Sequence, residues 1–354
     1  IEILYCKTCK TAHQKFQVNK ESLFPIEYHY RARFTKDVIE GMKKLVSSCT
    51  PFFKNKKNLF VLDIGCNDGT LLNFFRDEGF KTIGIEPTGA YQDAKENGHK
   101  VYNQYFSSEV AKKILKDHGN PDLITFTNVF AHIDDLKEVI RSLNILLNEK
   151  TILVIENHYL GSVLDKNQFD TFYHEHPRTY SLSSFKYIAS AMRSKIILNE
   201  FPSRYGGNIR VFISKEGEES ATLENDLLKE KKFSSQFKKL NKDIDIWLKK
   251  KTLLIKELIK TNGKICAKAF PGRAAILVKM LKLTEEHISE VFEKPGSLKI
   301  NHYLPGTKIP INSDDKLFNE THQTKVILNL AWHIPEEIKN YLEKNGFTGK
   351  IINI

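Results

Sequence analysis

Between residue 58 and about residue 160, apolar positions fall in short unbroken runs separated by amphipathic stretches. The runs predict strands at Asn58–Ile64, Lys81–Pro87, Lys100–Tyr105, Leu123–Asn128 and Thr151–Asn157. The stretches between them predict helices at Leu71–Glu78, Gly89–Asn97, Ser107–Lys116 and Leu136–Leu147. Apolar strands alternating with helices imply a parallel sheet covered on both faces. Lys195–Glu200 and Asn208–Ser214 predict an antiparallel edge. From Leu223 to Lys260 one long helix is expected, because Phe233, Phe237, Leu240, Ile244 and Trp247 form an apolar stripe opposite the lysines. Such a stripe suits a linker helix packed on a domain better than a helix lying on a membrane. A second alternation follows, with strands at Lys264–Phe270, Ile288–Glu293, Lys325–Leu330 and Lys350–Ile352 and helices at Ala274–Leu281 and Pro335–Asn345. The expectation is an α/β chain in four parts. Residues 1–50 hold an aromatic loop (Phe24 to Phe34) and a helix (Lys36–Ser47), residues 51–215 the first sheet, 216–262 the linker helix, and 263–354 a second α/β domain.

Composition narrows the class. The 354 residues are enough for two or three domains, and 41% hydrophobic with 11% aromatic content excludes a disordered chain. No apolar stretch approaches the roughly 18 residues of a membrane span, and no secretory leader pattern opens the chain. Five cysteines, an odd number, do not suggest a disulfide framework. A soluble cytoplasmic protein is expected. The net charge of +11 comes from scattered lysines without the aromatic interleaving of an RNA-binding surface. That charge is compatible with a small diphosphate-bearing substrate and does not call for a nucleic-acid or membrane partner.

The most specific stretch is Val61-Leu62-Asp63-Ile64-Gly65-Cys66-Asn67-Asp68-Gly69-Thr70, between a strand and a helix. Its glycine turn lets backbone approach a ligand. It lacks the Gly-x-Gly-x-x-Gly of dinucleotide sites, and acidic residues beside the turn suit a cation rather than a phosphate. About 20 residues on, Gly84-Ile85-Glu86-Pro87 places a carboxylate at the next strand end, where it can accept both hydroxyls of a ribose. Together these resemble the S-adenosylmethionine site of class I methyltransferases. The resemblance implies that Asp63 and Gly65 line the methionine side, Glu86 the ribose and Asn128 the reacting end, with Cys66, Asn67, Asp68 and Pro87 as further cofactor-binding candidates. The alternative is a related fold binding another nucleoside.

Past the fifth strand lies Phe169-Asp170-Thr171-Phe172-Tyr173-His174-Glu175-His176-Pro177. Open α/β sheets hold substrates beyond the carboxyl ends of their strands, and histidine is a base near neutral pH. His176 is the candidate base and His174 a supporting residue. In an extended segment the two would point the same way and offer a metal pair, a weaker option without a third ligand nearby.

Asn67-Asp68-Gly69-Thr70-Leu71-Leu72, Ala131-His132-Ile133, Tyr173-His174-Glu175-His176 and Tyr303-Leu304-Pro305-Gly306-Thr307-Lys308-Ile309-Pro310-Ile311 occur in this order, with a weaker Ala331-Trp332-His333. The set resembles the sugar C-methyltransferases that act on nucleotide-linked 4-keto-deoxyhexoses, over essentially the whole chain. The resemblance implies a zinc-binding N-terminal piece, a central S-adenosylmethionine domain, and a Rossmann-like C-terminal domain holding the nucleotide. It implies His176 as base, with Glu175, Tyr173 and His132 on the sugar, and Tyr28 or Tyr30 completing the pocket. His174, Asn208, Arg273, Tyr303, Pro305, Gly306 and Thr307 are the further substrate candidates. Three departures stand out. Only one Cys-x-x-Cys pair is present, Cys6 and Cys9, with His13 as a possible extra zinc ligand. Tyr205 precedes Gly206-Gly207 where the family has a histidine. Phe270-Pro271-Gly272-Arg273 replaces an Ala-Lys-Gly-like turn, and Arg273 is a candidate phosphate partner. Two other functions share many of these features: O- or N-methylation of another glycosyl or secondary-metabolite substrate, and a non-catalytic binding protein keeping the fold.

Overall fold

The computed structural model describes residues 1–28, 30–319 and 324–354; His29, inside the expected aromatic loop, lies outside them. The chain divides into two compact units, residues 1–166 with 174–234 and residues 167–173 with 235–354.

The first unit opens with strands β1 (Ile3–Tyr5) and β2 (Ala12–Gln14), a short helix α1 (Lys20–Leu23) and helix α2 (Lys36–Cys49). Helix α2 buries Val38, Met42, Leu45, Val46 and Cys49 along one stripe, as helical periodicity requires. Strand and helix then alternate through β3 (Phe60–Ile64), α3 (Thr70–Asp77), β4 (Lys81–Ile85), α4 (Ala90–Glu96), β5 (Lys100–Tyr102), α5 (Ser108–His118), β6 (Leu123–Thr127), α6 (Leu136–Leu146) and β7 (Ile152–His158). Ser107 and Asp135 start α5 and α6 by accepting from the amides of Val110 and Glu138, groups with no partner inside the helix. The unit closes with α7 (Leu160–Asp165), β8 (Arg178–Thr179), α8 (Leu182–Ala191), β9 (Lys195–Glu200), β10 (Asn208–Ser214) and α9 (Leu223–Lys229).

Its main sheet runs β5-β4-β3-β6-β7-β10-β9. The first five strands are parallel, and β10 is antiparallel to both β7 and β9. This is the expected α/β arrangement of a class I methyltransferase. Strand β10 takes the inner position because all seven of its residues are buried, whereas β9 is mostly half-buried and forms the edge. The strand order reverses between β3 and β6, so the carboxyl ends of β3, β4, β6 and β7 share one edge with a crevice at the switch. A three-stranded sheet β1-β2-β8 was not foreseen; strands of two or three residues carry no readable period.

The second unit holds most of α10 (Phe233–Asn262), then β11 (Ile265–Lys268), α11 (Ala274–Met280), β12 (Ile288–Glu293), β13 (Ile311–Ser313), α12 (Asp314–Leu317), β14 (Val326–Asn329), α13 (Pro335–Lys344) and β15 (Lys350–Asn353). Its five strands are all parallel, in the order β13-β12-β11-β14-β15. The apolar stripe of α10 meets the 167–173 segment: Phe237 stacks on Phe172 and Trp247 packs edge-to-face on Phe169 at 5.0 Å. The single helix expected from Leu223 to Lys260 is in fact two, α9 and α10, joined by a tight turn at Glu230–Lys232. That turn carries the buried Glu230 carboxylate to the start of α8, where it accepts from the amides of Leu182 and Ser183 at 2.7 and 2.9 Å. Among the described residues no helix is long and apolar enough to cross a membrane.

Candidate active site

The loop between β3 and α3 is shaped by two glycines with positive φ, Gly65 at 74° and Gly69 at 78°. A side chain at Gly65 would collide with Val129, and one at Gly69 with His99. The Gly65 and Cys66 amides donate to the Ile85 carbonyl, which draws the loop onto the end of β4. The Cys66 thiol is buried and turned into the fold against Gly84. Asp63, 3% exposed, accepts from the Thr125 hydroxyl at 2.7 Å. Burial lifts its carboxyl to about 7. Glu86, also buried, accepts from the Asn67 amide at 2.9 Å and from the amide and hydroxyl of Thr88 at 2.9 and 2.6 Å. Burial raises it as well. Pro87 follows, half-buried, its carbonyl bonded by Asn103. Asn128, at φ 54°, turns the chain after β6 and accepts from Asn208 at 3.3 Å.

Two buried carboxyl groups without an ion-pair partner among the described residues make an unbalanced acidic edge. Such an edge favours a cation. S-adenosylmethionine, a sulfonium with an ammonium and a ribose, matches that chemistry. Asn67 and Asp68 turn their side chains another way. Asn67 accepts from Ala32 at 3.0 Å and donates to the Tyr30 carbonyl, while Asp68 accepts from the Arg33 amide at 3.0 Å. Arg31 and Arg33 both pair with Asp93. These bonds fasten the aromatic loop, which carries Tyr28 and Tyr30, beside the β3–α3 loop and α4.

Beyond β6 and β7 the rings of three histidines gather. His176 is 6% exposed, with the His132 ring at 4.9 Å and the His158 ring at 5.3 Å, centroid to centroid. The His132 Nδ1–H donates to the Glu175 carbonyl at 2.7 Å, which leaves Nε2 of the neutral ring as an acceptor. Phe24 lies edge-on to His132 and to Tyr28. The Tyr28 hydroxyl reaches toward Glu175 at 3.5 Å, and burial with the nearby Glu175 charge pushes its phenol up, so it remains a donor. Gln14 holds the His176 backbone from behind, its side-chain amide donating to the His176 carbonyl at 2.9 Å. Neither His158 nor Gln14 was singled out from sequence; His158 sits at the end of a parallel strand, the one signal that marked it.

His174 and His176 do not form the metal pair that an extended segment would offer. The chain bends and turns at 173–175, so His174 is exposed while His176 is buried. Among the described residues no three His, Cys, Asp or Glu groups are arranged to hold a metal. Cys6 and Cys9 bracket a tight turn in which the amides of Cys9 and Thr8 hold the Cys6 thiol below its usual range. No zinc is assigned to them.

Asn208 is fully buried and donates to Glu156 at 2.9 Å as well as to Asn128. Glu156 also binds Arg204 and Arg210. Tyr173 closes the 167–173 segment of the second unit. In that unit Arg273 has a carboxylate where a phosphate was expected: it forks onto Asp170 at 2.8 and 2.7 Å, and Trp332 Nε1 donates to the same carboxylate. Burial and the Arg273 charge hold the adjacent His333 near 3. Tyr303, Pro305, Gly306 and Thr307 form an exposed turn, closed by the Thr307 hydroxyl on the Leu304 carbonyl.

A methyltransferase-domain family model matches residues 34–192, and a C-methyltransferase C-terminal domain model matches residues 203–352. The C-methyltransferase NovU of Streptomyces niveus is 26% identical over 358 aligned positions, which cover 98% of this chain and 84% of NovU. Among solved structures, a SAM-dependent methyltransferase from Archaeoglobus fulgidus is 17% identical, with 50% of this chain and 94% of that one covered at a TM-score of 0.41. Magnesium protoporphyrin IX methyltransferase from Synechocystis PCC 6803 with bound SAH is 15% identical, with 51% and 84% covered at a TM-score of 0.40.

Proposed function

We propose that this S-adenosylmethionine-dependent methyltransferase, similar to C-methyltransferases in its C-terminal domain and to NovU along its length, methylates a carbon next to the keto group of a nucleotide-linked deoxysugar. The carrying observation is the packing of His132 against His176 at 4.9 Å. It lies beyond the strand ends whose neighbours, Asp63 and Glu86, form the acidic edge. Bound there by Asp63, Gly65, Glu86 and Asn128, S-adenosylmethionine supplies an electrophilic methyl group. His176 removes the proton made acidic by the neighbouring ketone. Its burial keeps water from competing for the carbanion. Tyr28, held protonated, is the donor for the developing enolate oxygen, and His132, whose Nε2 accepts, contacts a sugar hydroxyl. Gln14 and the His132–Glu175 bond fix the backbone that carries the base, and orientation of this kind supplies much of the rate.

The test uses a panel of nucleotide-linked 4-keto-deoxyhexoses with S-adenosylmethionine, read by mass spectrometry and by solvent deuterium entering the carbon beside the ketone. Replacement His176→Ala should lower turnover and deuterium entry by about 10²–10⁴-fold with both ligands still bound. Methyl transfer to oxygen or nitrogen without carbon exchange would replace the reading by O- or N-methylation. Normal exchange in His176→Ala would move the base to His132, whose Nε2 is the ring nitrogen left free to accept.

A further inference from the structure

We propose that His158 is the residue through which His176 returns its proton to solvent, a role resting on His176 as the base. The balance of the reaction demands such a residue. The electron pair of the C–H bond ends in the new C–C bond, and the departing thioether keeps the pair of the S–C bond. The proton remains on the base and must reach water before the next turnover. His176 is 6% exposed, so it cannot shed that proton into solvent directly. Two rings flank it. His132 has its Nδ1–H committed to the Glu175 carbonyl. His158, at the end of β7, is half-buried and stands 5.3 Å from His176, within reach of direct or one-water transfer.

The path continues outward. The His158 ring lies 5.5 Å from that of Tyr205. Tyr205 is held at φ 53° by the turn that precedes β10. Tyr205 in turn lies near Tyr30, whose side chain keeps 39% exposure and whose phenol is pushed up by burial and by the neighbouring Tyr205. Ionisable rings thus run from the buried base to an exposed side chain. The cluster is not a metal site, since no metal-holding group of three occurs among the described residues.

The experiment loads the protein with S-adenosylhomocysteine and a nucleotide-linked keto sugar, and follows deuterium from solvent into the carbon beside the ketone. No methyl transfer occurs, so the signal requires abstraction of the proton and its escape. His158→Phe should slow deuterium entry about tenfold, and added imidazole should restore it, with the affinities for both ligands unchanged. His158→Gln, which keeps a polar side chain but carries no proton near neutral pH, should behave the same way and serves if the phenyl variant fails to fold. Exchange in both variants within about twofold of wild type, or a loss that imidazole does not restore, overturns the role of His158. The two readings fail separately: exchange surviving in His176→Ala removes the base, whereas exchange lost in His176→Ala but intact in the His158 variants removes the relay alone.

Discussion

On the proposed assignment, Asp63 moves the pH dependence of cofactor binding from the ordinary carboxylate range up to about 7. The side chain is 3% exposed, it accepts from the Thr125 hydroxyl, and burial lifts it from 3.8 to about 7. A neighbouring cation favours the ionised form, so on the proposed assignment S-adenosylmethionine binding expels the proton. Affinity should therefore rise with pH up to about 7 and level off above it. For a group titrating near 7, the ionised fraction grows about 25-fold between about pH 5.5 and about pH 7.5, worth about 2 kcal/mol of binding. Without the cofactor the sign reverses for stability. The folded state holds this proton more tightly than the unfolded chain, so stability contributed by Asp63 is present below about pH 4 and is lost as pH rises to about 7. The assay is calorimetric titration across that range in two buffers of different ionisation enthalpy, which counts the protons released. Asp63→Asn should bind more weakly at neutral pH and lose most of the pH dependence. An affinity flat to within about twofold in the wild type, or the same slope in Asp63→Asn, would refute the reasoning.

Glu86→Gln should weaken S-adenosylmethionine by about 1–3 kcal/mol, because Glu86 is the proposed ribose acceptor as well as the anchor for the Asn67 and Thr88 amides; an unchanged calorimetric affinity in the folded variant would sink the ribose assignment. Asp170→Asn leaves the buried Arg273 guanidinium without its counter-charge and should destabilise the second unit by about 3–5 kcal/mol in urea, with Trp332 fluorescence as reporter; a loss below about 1 kcal/mol would mean that this pair is dispensable. With no third donor beside Cys6 and Cys9 among the described residues, zinc should be stripped readily by a chelator, and stoichiometric zinc surviving that treatment in elemental analysis would contradict the expectation.

Local features were legible in the sequence. The apolar runs located β3, β4, β6 and β7 to within one or two residues. Asp63, Gly65 and Glu86 stood out as candidates because a strand–turn–helix unit and the next strand end carry them at short spacing. The histidine loop stood out for the same reason, and Lys195–Glu200 and Asn208–Ser214 were recognised as strands with their correct bounds. What the tertiary structure decided is which distant residues these local features meet. Asn67 and Asp68 looked like cofactor residues until folding set them against Ala32 and Arg33, 35 positions earlier. Arg273 looked like a phosphate ligand until it met Asp170, 103 positions away. Gln14 and His158 had no visible reason to belong to a site, yet one bonds the backbone of His176 across 162 positions and the other packs on its ring. Periodicity and turn chemistry act over a few residues and are written into the chain. A contact between remote side chains depends on how whole elements pack, and on which buried donors and charges must then find partners.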